Sequence, residues 1–316
     1  MSPTSRPFTR KTLGAAVLLG LVLFVLFNTG TWQQQSPDGI PIEVLPSKPL
    51  ATSIPEKIWY KLGPKGLSDK SRDWINTCLE RNPTYPHEFL TDDAGDAYVN
   101  KTFASRPDIV QAYLALTIPI LKADLLRYLL LYAEGGIYSD LDVSCGDTPI
   151  REWIPAKYEE SVGLVVGWEF DMAGSWREFA TWTILAKPGS PHLLRVINDI
   201  MSNLNKKAME NHVSISGLTM DTIGDVVWLT GPRAFTRSVL RSLEVENYDA
   251  MVSVPDSPPT FEPWLIKDVL ILPGWSFSLT LNKYEPEHNP GPALVTHHFA
   301  GTWKNAYGGE QVAPAV

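Results

Sequence analysis

The pattern of apolar and polar positions predicts short strands that alternate with amphipathic or buried helices. The candidate helices are residues 69–81, 119–134, a segment that begins at Pro191, and 235–243. The candidate strands are residues 58–60, 87–90, 162–166, 183–186, 269–272 and 294–299. The unbroken apolar run at 162–166 is typical of a strand covered on both faces. Strands that alternate with helices predict an α/β fold with a mostly parallel central sheet.

Residues 119–134 are apolar around nearly the whole circumference of a helix, which indicates a buried helix. Pro119 suits its first position, and Gly135 suits the position just past its end. The helix nevertheless carries Asp124 and Arg127, which are three residues apart and therefore share a face. Buried charges need partners or a ligand, and a hydroxyl-rich ligand such as a sugar would satisfy both groups. An exposed helical ion pair is the alternative.

The next segment, GGIYSDLDV at residues 135–143, has the period of two expected of a strand. One face is mostly apolar, and the other carries Tyr138, Asp140 and Asp142. Two carboxylates this close repel each other unless a cation lies between them. Mg²⁺ and Mn²⁺ commonly bind through one or two carboxylates together with substrate phosphates. The segment therefore predicts a divalent metal site, and a strand with a solvated acidic face is the alternative.

These motifs, in this order, resemble glycosyltransferase family 32. The likeness is carried by IPEKIW at 54–59, NPTYP at 82–86, KADLLRY at 122–128, GGIYSDLDV at 135–143, TGP at 230–232 and HHFAGTWK at 297–304. Within the family, the sequence is similar to the fungal initiation-specific alpha-1,6-mannosyltransferases. The resemblance implies a GT-A type nucleotide-sugar fold in a catalytic domain at 54–316. It also implies a metal-dependent retaining enzyme that transfers mannose from GDP-mannose to a mannose-containing N-glycan or mannan.

The resemblance also suggests which residues hold the metal and act in catalysis. Asp140 and Asp142 are the expected catalytic pair. Asp142 would bind the ion directly, whereas Asp140 would share contacts to metal, ribose and donor sugar. A late histidine would supply a third ligand, and of His297 and His298 we favour His298, because its spacing to Gly301 resembles that of several GT-A enzymes. The expected cofactor is Mn²⁺ or Mg²⁺.

The donor would be held by a wider set of side chains. Asp124 and Arg127 would bind hydroxyls of the donor sugar, by analogy with related Asp-x-Asp transferases. Tyr138 would contact the nucleotide, with a packed phenol as the alternative. Trp59 would stack on the base, with a core tryptophan as the alternative. A lid over the diphosphate would be formed by Thr302, Trp303 and Lys304.

Further carboxylates follow other predicted elements. Glu169 and Asp171 follow the apolar run at 162–166, at a strand end where α/β folds place active sites. There they would suit either the orientation of acceptor hydroxyls or a position facing the anomeric carbon of the donor sugar. Asp221 and Asp225 precede the TGP motif. For all four, a solvated loop is the alternative.

The amino terminus predicts a membrane anchor. Residues 1–12 contain basic residues and no acidic ones, and an uncharged, mostly apolar stretch follows at 13–32. As a helix that stretch spans roughly 30 Å, enough for a hydrocarbon core. The basic tail would stay cytoplasmic in a type II arrangement, with a proline-rich stem at 33–53 and a lumenal catalytic domain. The expected location is the Golgi membrane or the early secretory pathway, and a cleaved signal peptide is the alternative to the anchor.

Composition limits the partners. The 316-residue chain is 44% hydrophobic and 20% charged, which is typical of a globular protein, and its net charge of −8 makes nucleic acid a poor partner. The expected partners are a nucleotide-sugar donor, a glycan acceptor, the membrane and other subunits of a transferase complex. Cys78 and Cys145 allow one disulfide or two separate buried thiols.

Other functions share part of this pattern. Hexosyl transfer to an inositol-phosphate sphingolipid would use the same donor chemistry on another acceptor. A non-catalytic sugar-nucleotide-binding subunit of a mannosyltransferase complex would keep the donor site without turnover. DLDVS at 140–144 also resembles the first motif of haloacid-dehalogenase-type phosphatases, in which the first aspartate is the nucleophile. That class needs a later acidic pair, and GDVVW at 224–228 lacks the second acid, so we set it aside.

Overall fold

A computed structural model describes residues 53–171, 177–245, 260–285, 287 and 290–301. The predicted tail at 1–12, the membrane helix at 13–32 and all but the last residue of the stem at 33–53 lie outside these ranges. The predicted lid of Thr302, Trp303 and Lys304 also lies outside them. Within the described ranges, no helix combines the length and apolar character needed to span a membrane. The type II membrane topology therefore stays a prediction.

The described chain is built on an 8-stranded sheet with the order β2-β1-β3-β7-β5-β9-β8, and β6 pairs with β5 beside this path. A separate two-stranded sheet joins β10 to β4. The strands are β1 (Ile58–Lys61), β2 (His87–Leu90), β3 (Gly136–Ser139), β4 (Val143–Cys145), β5 (Leu164–Phe170), β6 (Glu178–Phe179), β7 (Thr183–Ala186), β8 (Trp264–Ile266), β9 (Val269–Leu272) and β10 (Val295–His297).

Helices cover the sheet and connect its strands. They are α1 (Asp69–Arg81), α2 (Asp92–Thr102), α3 (Pro107–Ala115), α4 (Pro119–Glu134), α5 (Pro191–Glu210), α6 (Met220–Ile223), α7 (Val226–Leu229), α8 (Pro232–Ser242) and α9 (Gly274–Ser278). The beginning of α1 is capped by the Ser68 hydroxyl, which accepts the Ser71 N–H at 3.0 Å. The long helix α4 begins at a proline and ends at Gly135, whose φ of 69° suits glycine.

The α/β class is confirmed, but the expectation of a mostly parallel sheet is wrong because the sheet is mixed. β1 pairs in parallel with β2 and β3, and β5 pairs in parallel with β9. β7 is antiparallel to both β3 and β5, and β8 is antiparallel to β9. The stretch between β5 and β7 includes β6 and leaves too few residues for the helical crossover that a parallel pair needs.

The core lies on both faces of the sheet. Trp59, Val166 and the apolar side of α4 belong to one buried cluster. Ile58, Val165 and other residues of the same strands belong to the other cluster. Successive strand residues point to opposite faces, so β1, β3, β5, β7 and β9 each contribute to both clusters. The charged residues of α4 must then be satisfied inside the protein.

Candidate active site

Asp140 and Asp142 lie in a turn between β3 and β4 and not on one continuous strand, as the period of two had suggested. Two main-chain hydrogen bonds shape this acidic turn. The Asp140 N–H donates to the Trp182 carbonyl at 2.9 Å, and the Val143 N–H donates to the Asp140 carbonyl at 3.3 Å. The turn brings the two carboxylates close together at the carboxyl end of β3.

His297 completes a group of three metal-ligand side chains. It lies opposite Val143 in the β10–β4 pair, and its Nε2 is 3.2 Å from Asp142 Oδ1. Ligand atoms of Asp140, Asp142 and His297 all lie within 4.8 Å of one another. Two carboxylate oxygens and an imidazole nitrogen suit a divalent transition metal, so the chemistry of this donor set fits a metal site.

The expectation that His298 would be the nearer histidine is not met. Its ring stacks on Trp74 at 4.3 Å between centroids, and its Nε2 is 2.8 Å from Ser144 Oγ. The register of β10 on β4 points His297 toward the acidic turn, and the next residue along a strand points away. His298 still supports the turn through its main-chain N–H, which donates to the Asp142 carbonyl at 2.8 Å.

The two carboxylates of the acidic turn have different electrostatic surroundings. Burial raises the pKa of Asp140, opposed by the charge of Arg127 and reinforced by that of Asp142. Burial also acts to raise the pKa of Asp142, but His297 and the Ala300 N–H lower it below its usual value. That N–H donates to Asp142 Oδ2 at 2.9 Å. Asp142 is therefore held in the ionised form that a metal ligand needs.

Asp124 and Arg127 converge on the acidic turn, as the helix pattern predicted. Both are almost fully buried, at 3% and 4% exposure. Arg127 donates to Asp124 Oδ1 at 2.8 Å, to Asp140 Oδ2 at 3.4 Å and to the Thr181 carbonyl at 2.6 Å. The Thr230 hydroxyl donates to Asp124 Oδ2 at 2.7 Å. Within the described residues Arg127 Nε has no hydrogen-bond partner, so the network keeps an unused donor.

Tyr138 and Trp59, which were predicted to contact the donor, are buried and form hydrogen bonds within the protein. Tyr138 is 1% exposed and donates its hydroxyl to Asp140 Oδ1 at 2.9 Å, so it holds the carboxylate in place. Trp59 is 2% exposed and donates its indole N–H to the Gly135 carbonyl at 2.9 Å. A side chain packed this way cannot stack on a base without opening the core. The structure thus places Trp59 in the core and not in the site.

Glu169 and Asp171 are not in a solvated loop. Asp171 is fully buried, where its carboxylate pairs with Arg177 at 3.0 Å and accepts hydrogen bonds from the N–H and hydroxyl of Thr260. Glu169, at the end of β5, is partly buried. Burial and the charge of Glu178 raise its pKa to about 8, although Arg233 opposes them.

The other two carboxylates fit the solvated alternative. Asp225 is exposed and caps α7 by accepting the Val227 N–H at 2.9 Å. Asp221 is exposed near the start of α6. A helix cap explains the aspartate at 225 without a catalytic role.

Sequence reasoning missed the supporting role of Trp182 and did not decide whether the two cysteines pair. Trp182 stacks on His297 at 4.3 Å between centroids, and its main chain holds Asp140. Cys78 of α1 forms a disulfide with Cys145 of β4, a pairing that the sequence had left open. Nothing in the spacing of Trp182 marks it, whereas the presence of two cysteines was the available signal for the disulfide.

Comparison with known proteins shows the family of the chain. A family model described as "Glycosyltransferase sugar-binding region containing DXD motif" matches residues 68–159, which include α4 and the acidic turn. The chain is 30% identical over 322 residues to the initiation-specific alpha-1,6-mannosyltransferase of Candida albicans, with 89% of this chain and 79% of that protein covered. It is 33% identical over 273 residues to the protein of the same name from Schizosaccharomyces pombe, with 81% of this chain and 65% of that protein covered.

Among solved structures, the PaToxG Glycosyltransferase is similar at 18% identity and a TM-score of 0.45, with 63% of this chain and 73% of that chain covered. A likeness this distant adds nothing to the assignment. The sequence relatives and the acidic turn define a glycosyltransferase of the Asp-x-Asp class. The chain belongs to glycosyltransferase family 32, the family of the two fungal relatives.

Proposed function

We propose that the protein is a metal-dependent retaining mannosyltransferase of the GT-A type, which transfers mannose from GDP-mannose to a mannose-containing N-glycan or mannan. The observation that carries the proposal is the convergence of Asp140, Asp142 and His297 beside the buried Asp124–Arg127 pair. The names of the relatives support mannosyl transfer and an alpha-1,6 linkage. The N-terminal pattern supports a type II protein of the Golgi membrane with a lumenal catalytic domain.

The donor set of the acidic turn fits a divalent cation, and we assign Mn²⁺ or Mg²⁺ to it. Asp142 and His297 would hold the ion, with Asp140 as a further ligand. When bound, such an ion stabilises the negative charge that develops on a departing nucleoside diphosphate. Tyr138 keeps Asp140 in place, because its hydroxyl bonds the oxygen opposite the one that faces Arg127.

Asp124 and Arg127 would orient the hydroxyls of the donor sugar. Their mutual ion pair and the bonds from Thr230 and to Thr181 fix both side chains before a ligand arrives. Groups that are already fixed lose little conformational entropy when a ligand binds. Among the described residues, the buried Nε–H of Arg127 has no hydrogen-bond partner, so the pair keeps one unused donor.

The test is release of nucleoside diphosphate by the full-length chain in detergent micelles. A panel of sugar nucleotides is supplied with and without Mn²⁺, together with either a mannose oligosaccharide or an inositol-phosphate sphingolipid. We expect Mn²⁺-dependent turnover of GDP-mannose with the oligosaccharide. Turnover of a different donor, or transfer to the sphingolipid alone, would overturn the assignment of donor or acceptor.

The Asp142→Ala variant tests the residue assignment in the same assay. Loss of a metal ligand is expected to lower turnover at least about 100-fold, because the ion contributes several kcal/mol of charge stabilisation. Asp147→Ala is the matched control, because Asp147 is an exposed aspartate nearby in the chain that pairs with Arg81. Circular dichroism confirms that both variants are folded. Unchanged turnover in Asp142→Ala would contradict the assignment of Asp142 as a metal ligand.

A further inference from the structure

The end of β5 lies at the same edge of the sheet as the acidic turn. β7 is antiparallel to both β3 and β5, so these two strands point in the same direction. β3 leads into Asp140, and β5 ends with Glu169 and Phe170. Because α/β folds place their ligands at the carboxyl ends of such strands, Glu169 lies on the functional edge.

A short segment of main chain connects β5 to the acidic turn. The Ala180 N–H donates to the Gly167 carbonyl of β5 at 2.9 Å. Two residues later, the Trp182 carbonyl accepts the N–H of Asp140 at 2.9 Å. Residues 180–182 therefore connect Gly167 of β5 to the acidic turn.

A second connection runs through the start of α8. Thr230, which holds Asp124, lies three residues before Arg233. The Arg233 Nε donates to Glu178 Oε2 at 3.0 Å, and the charge of Glu178 acts on Glu169. The Asp124–Arg127 pair and Glu169 are thus connected by two sets of contacts, one through residues 180–182 and one through the start of α8.

Glu169 has unused hydrogen-bonding capacity. Its Oε2 is buried and has no hydrogen-bond partner among the described residues. Its main chain is held in place, because Asn282 donates to the Glu169 carbonyl at 3.0 Å. Burial and the charge of Glu178 favour the neutral carboxylic acid, opposed by Arg233, and Glu178 is in turn influenced by Asp225. A neutral acid can both donate and accept, which matches a sugar hydroxyl.

An exposed aromatic residue borders this cluster. Trp228 of α7 is 41% exposed, and the guanidinium carbon of Arg233 lies 4.9 Å from its ring centroid. A partly exposed indole offers apolar area next to hydrogen-bonding groups. This combination suits a sugar ring, which has both apolar C–H groups and hydroxyls. We call Glu169, Glu178, Arg233 and Trp228 the acceptor surface.

We propose that the acceptor surface binds the sugar of the acceptor glycan, with Glu169 forming a hydrogen bond to one of its hydroxyls. The inference rests on the proposed function, because only a transferase has an acceptor to place beside its donor site. Glu169, which lies outside the Asp-x-Asp motif, would thus act in acceptor binding.

The kinetic test uses the full-length enzyme with Mn²⁺, GDP-mannose and a mannose oligosaccharide. Glu169→Ala is expected to raise the acceptor KM about tenfold, the effect of losing one well-placed hydrogen bond, and to change the donor KM much less. Glu169→Gln keeps one donor and one acceptor and is expected to restore most of the acceptor affinity. The wild-type acceptor KM should rise above pH 8, where the acid ionises, and that of Glu169→Gln should not.

Calorimetric titration of the oligosaccharide without donor separates this inference from the proposed function. If the wild type shows no turnover of GDP-mannose but binds the oligosaccharide in a way that Glu169→Ala weakens, the proposed donor is wrong, whereas the binding of a glycan by Glu169 is supported. Equal oligosaccharide binding by wild type and Glu169→Ala would overturn the acceptor surface. A larger rise in the donor KM than in the acceptor KM would also overturn it. Glu210→Ala, on the exposed part of α5, is the matched control and should change neither constant.

Discussion

His297 and His298 are adjacent in the chain but have different surroundings, and this difference gives a prediction for single residues. His297→Ala removes an imidazole nitrogen that lies 3.2 Å from Asp142. We expect it to weaken Mn²⁺ binding about tenfold or more, as loss of a ligand or of its close support does elsewhere. His298→Ala removes a ring that stacks on Trp74, so Mn²⁺ affinity should change less than about twofold. Titration calorimetry measures both affinities.

Each variant serves as the control for the other, because both delete an imidazole from the same short segment. Thermal unfolding shows whether the lost ring contacts lower stability, since His297 also stacks on Trp182. If His298→Ala weakened Mn²⁺ binding and His297→Ala did not, the ion would have to lie on the other side of β10. The sequence-based choice of His298 would then be correct.

Spacing predicted where some candidate residues lie, whereas the placement of others depends on contacts between distant segments. Asp124 and Arg127 meet the acidic turn because a helix places residues three apart on one face. The choice between two adjacent histidines depends on which side of β10 faces the turn. That orientation is set by the pairing of β10 with β4, a contact between segments about 150 residues apart that no local pattern records.

At the scale of elements, the disulfide fastens α1 to β4, the strand that follows the acidic turn. Cys78 and Cys145 are 67 residues apart in sequence, and the Cys145 N–H also donates to Thr77 Oγ1 at 2.8 Å. β4 in turn pairs with β10, which carries His297. We expect replacement of both cysteines by serine to lower the free energy of unfolding by about 2–5 kcal/mol. We also expect weaker Mn²⁺ binding, because β4 and β10 would lose their attachment to α1.

Denaturation in guanidinium and Mn²⁺ titration measure these two effects. Reducing agent applied to the wild type should reproduce the loss of stability, and it should have no effect on the double serine variant. An unchanged Mn²⁺ affinity in a destabilised variant would show that the two-stranded sheet of β4 and β10 keeps its arrangement without the attachment to α1. The disulfide would then contribute to stability alone.

Local patterns gave the element boundaries more accurately than the sheet topology. The predicted segments at 69–81, 87–90, 119–134, 183–186 and 269–272 have the same bounds in the structure. Periodicity, proline and glycine signals lie within each segment, so they can be read locally. The direction of β7 depends instead on how the chain returns after β5, and the apolar pattern of a buried strand is the same in either direction.

The whole molecule carries a set of buried and partly buried acids at its functional edge. Burial raises the pKa values of Asp124, Asp140, Glu169 and Glu178. Each of these groups binds its proton more tightly in the folded state than in the unfolded chain. Folding therefore becomes less favourable as pH rises from the unfolded-state pKa toward the folded-state pKa. The site is thus built at a cost to stability at neutral pH, which bound ligands and metal would reduce.

Glu169→Gln tests this linkage for one group. The wild-type carboxyl titrates near 4.5 when unfolded and at about 8 when folded, so its ionisation opposes folding between these values. The variant cannot ionise, so its stability relative to the wild type should increase with pH across this window, by at most about 1.4 kcal/mol per pH unit. Guanidinium denaturation with a metal chelator present measures the difference without a contribution from the metal site. Glu210→Gln provides the surface control. A difference that stays flat from pH 4.5 to 8 would show that folding leaves the Glu169 pKa unshifted, and the neutral acid invoked for the acceptor surface would then be wrong.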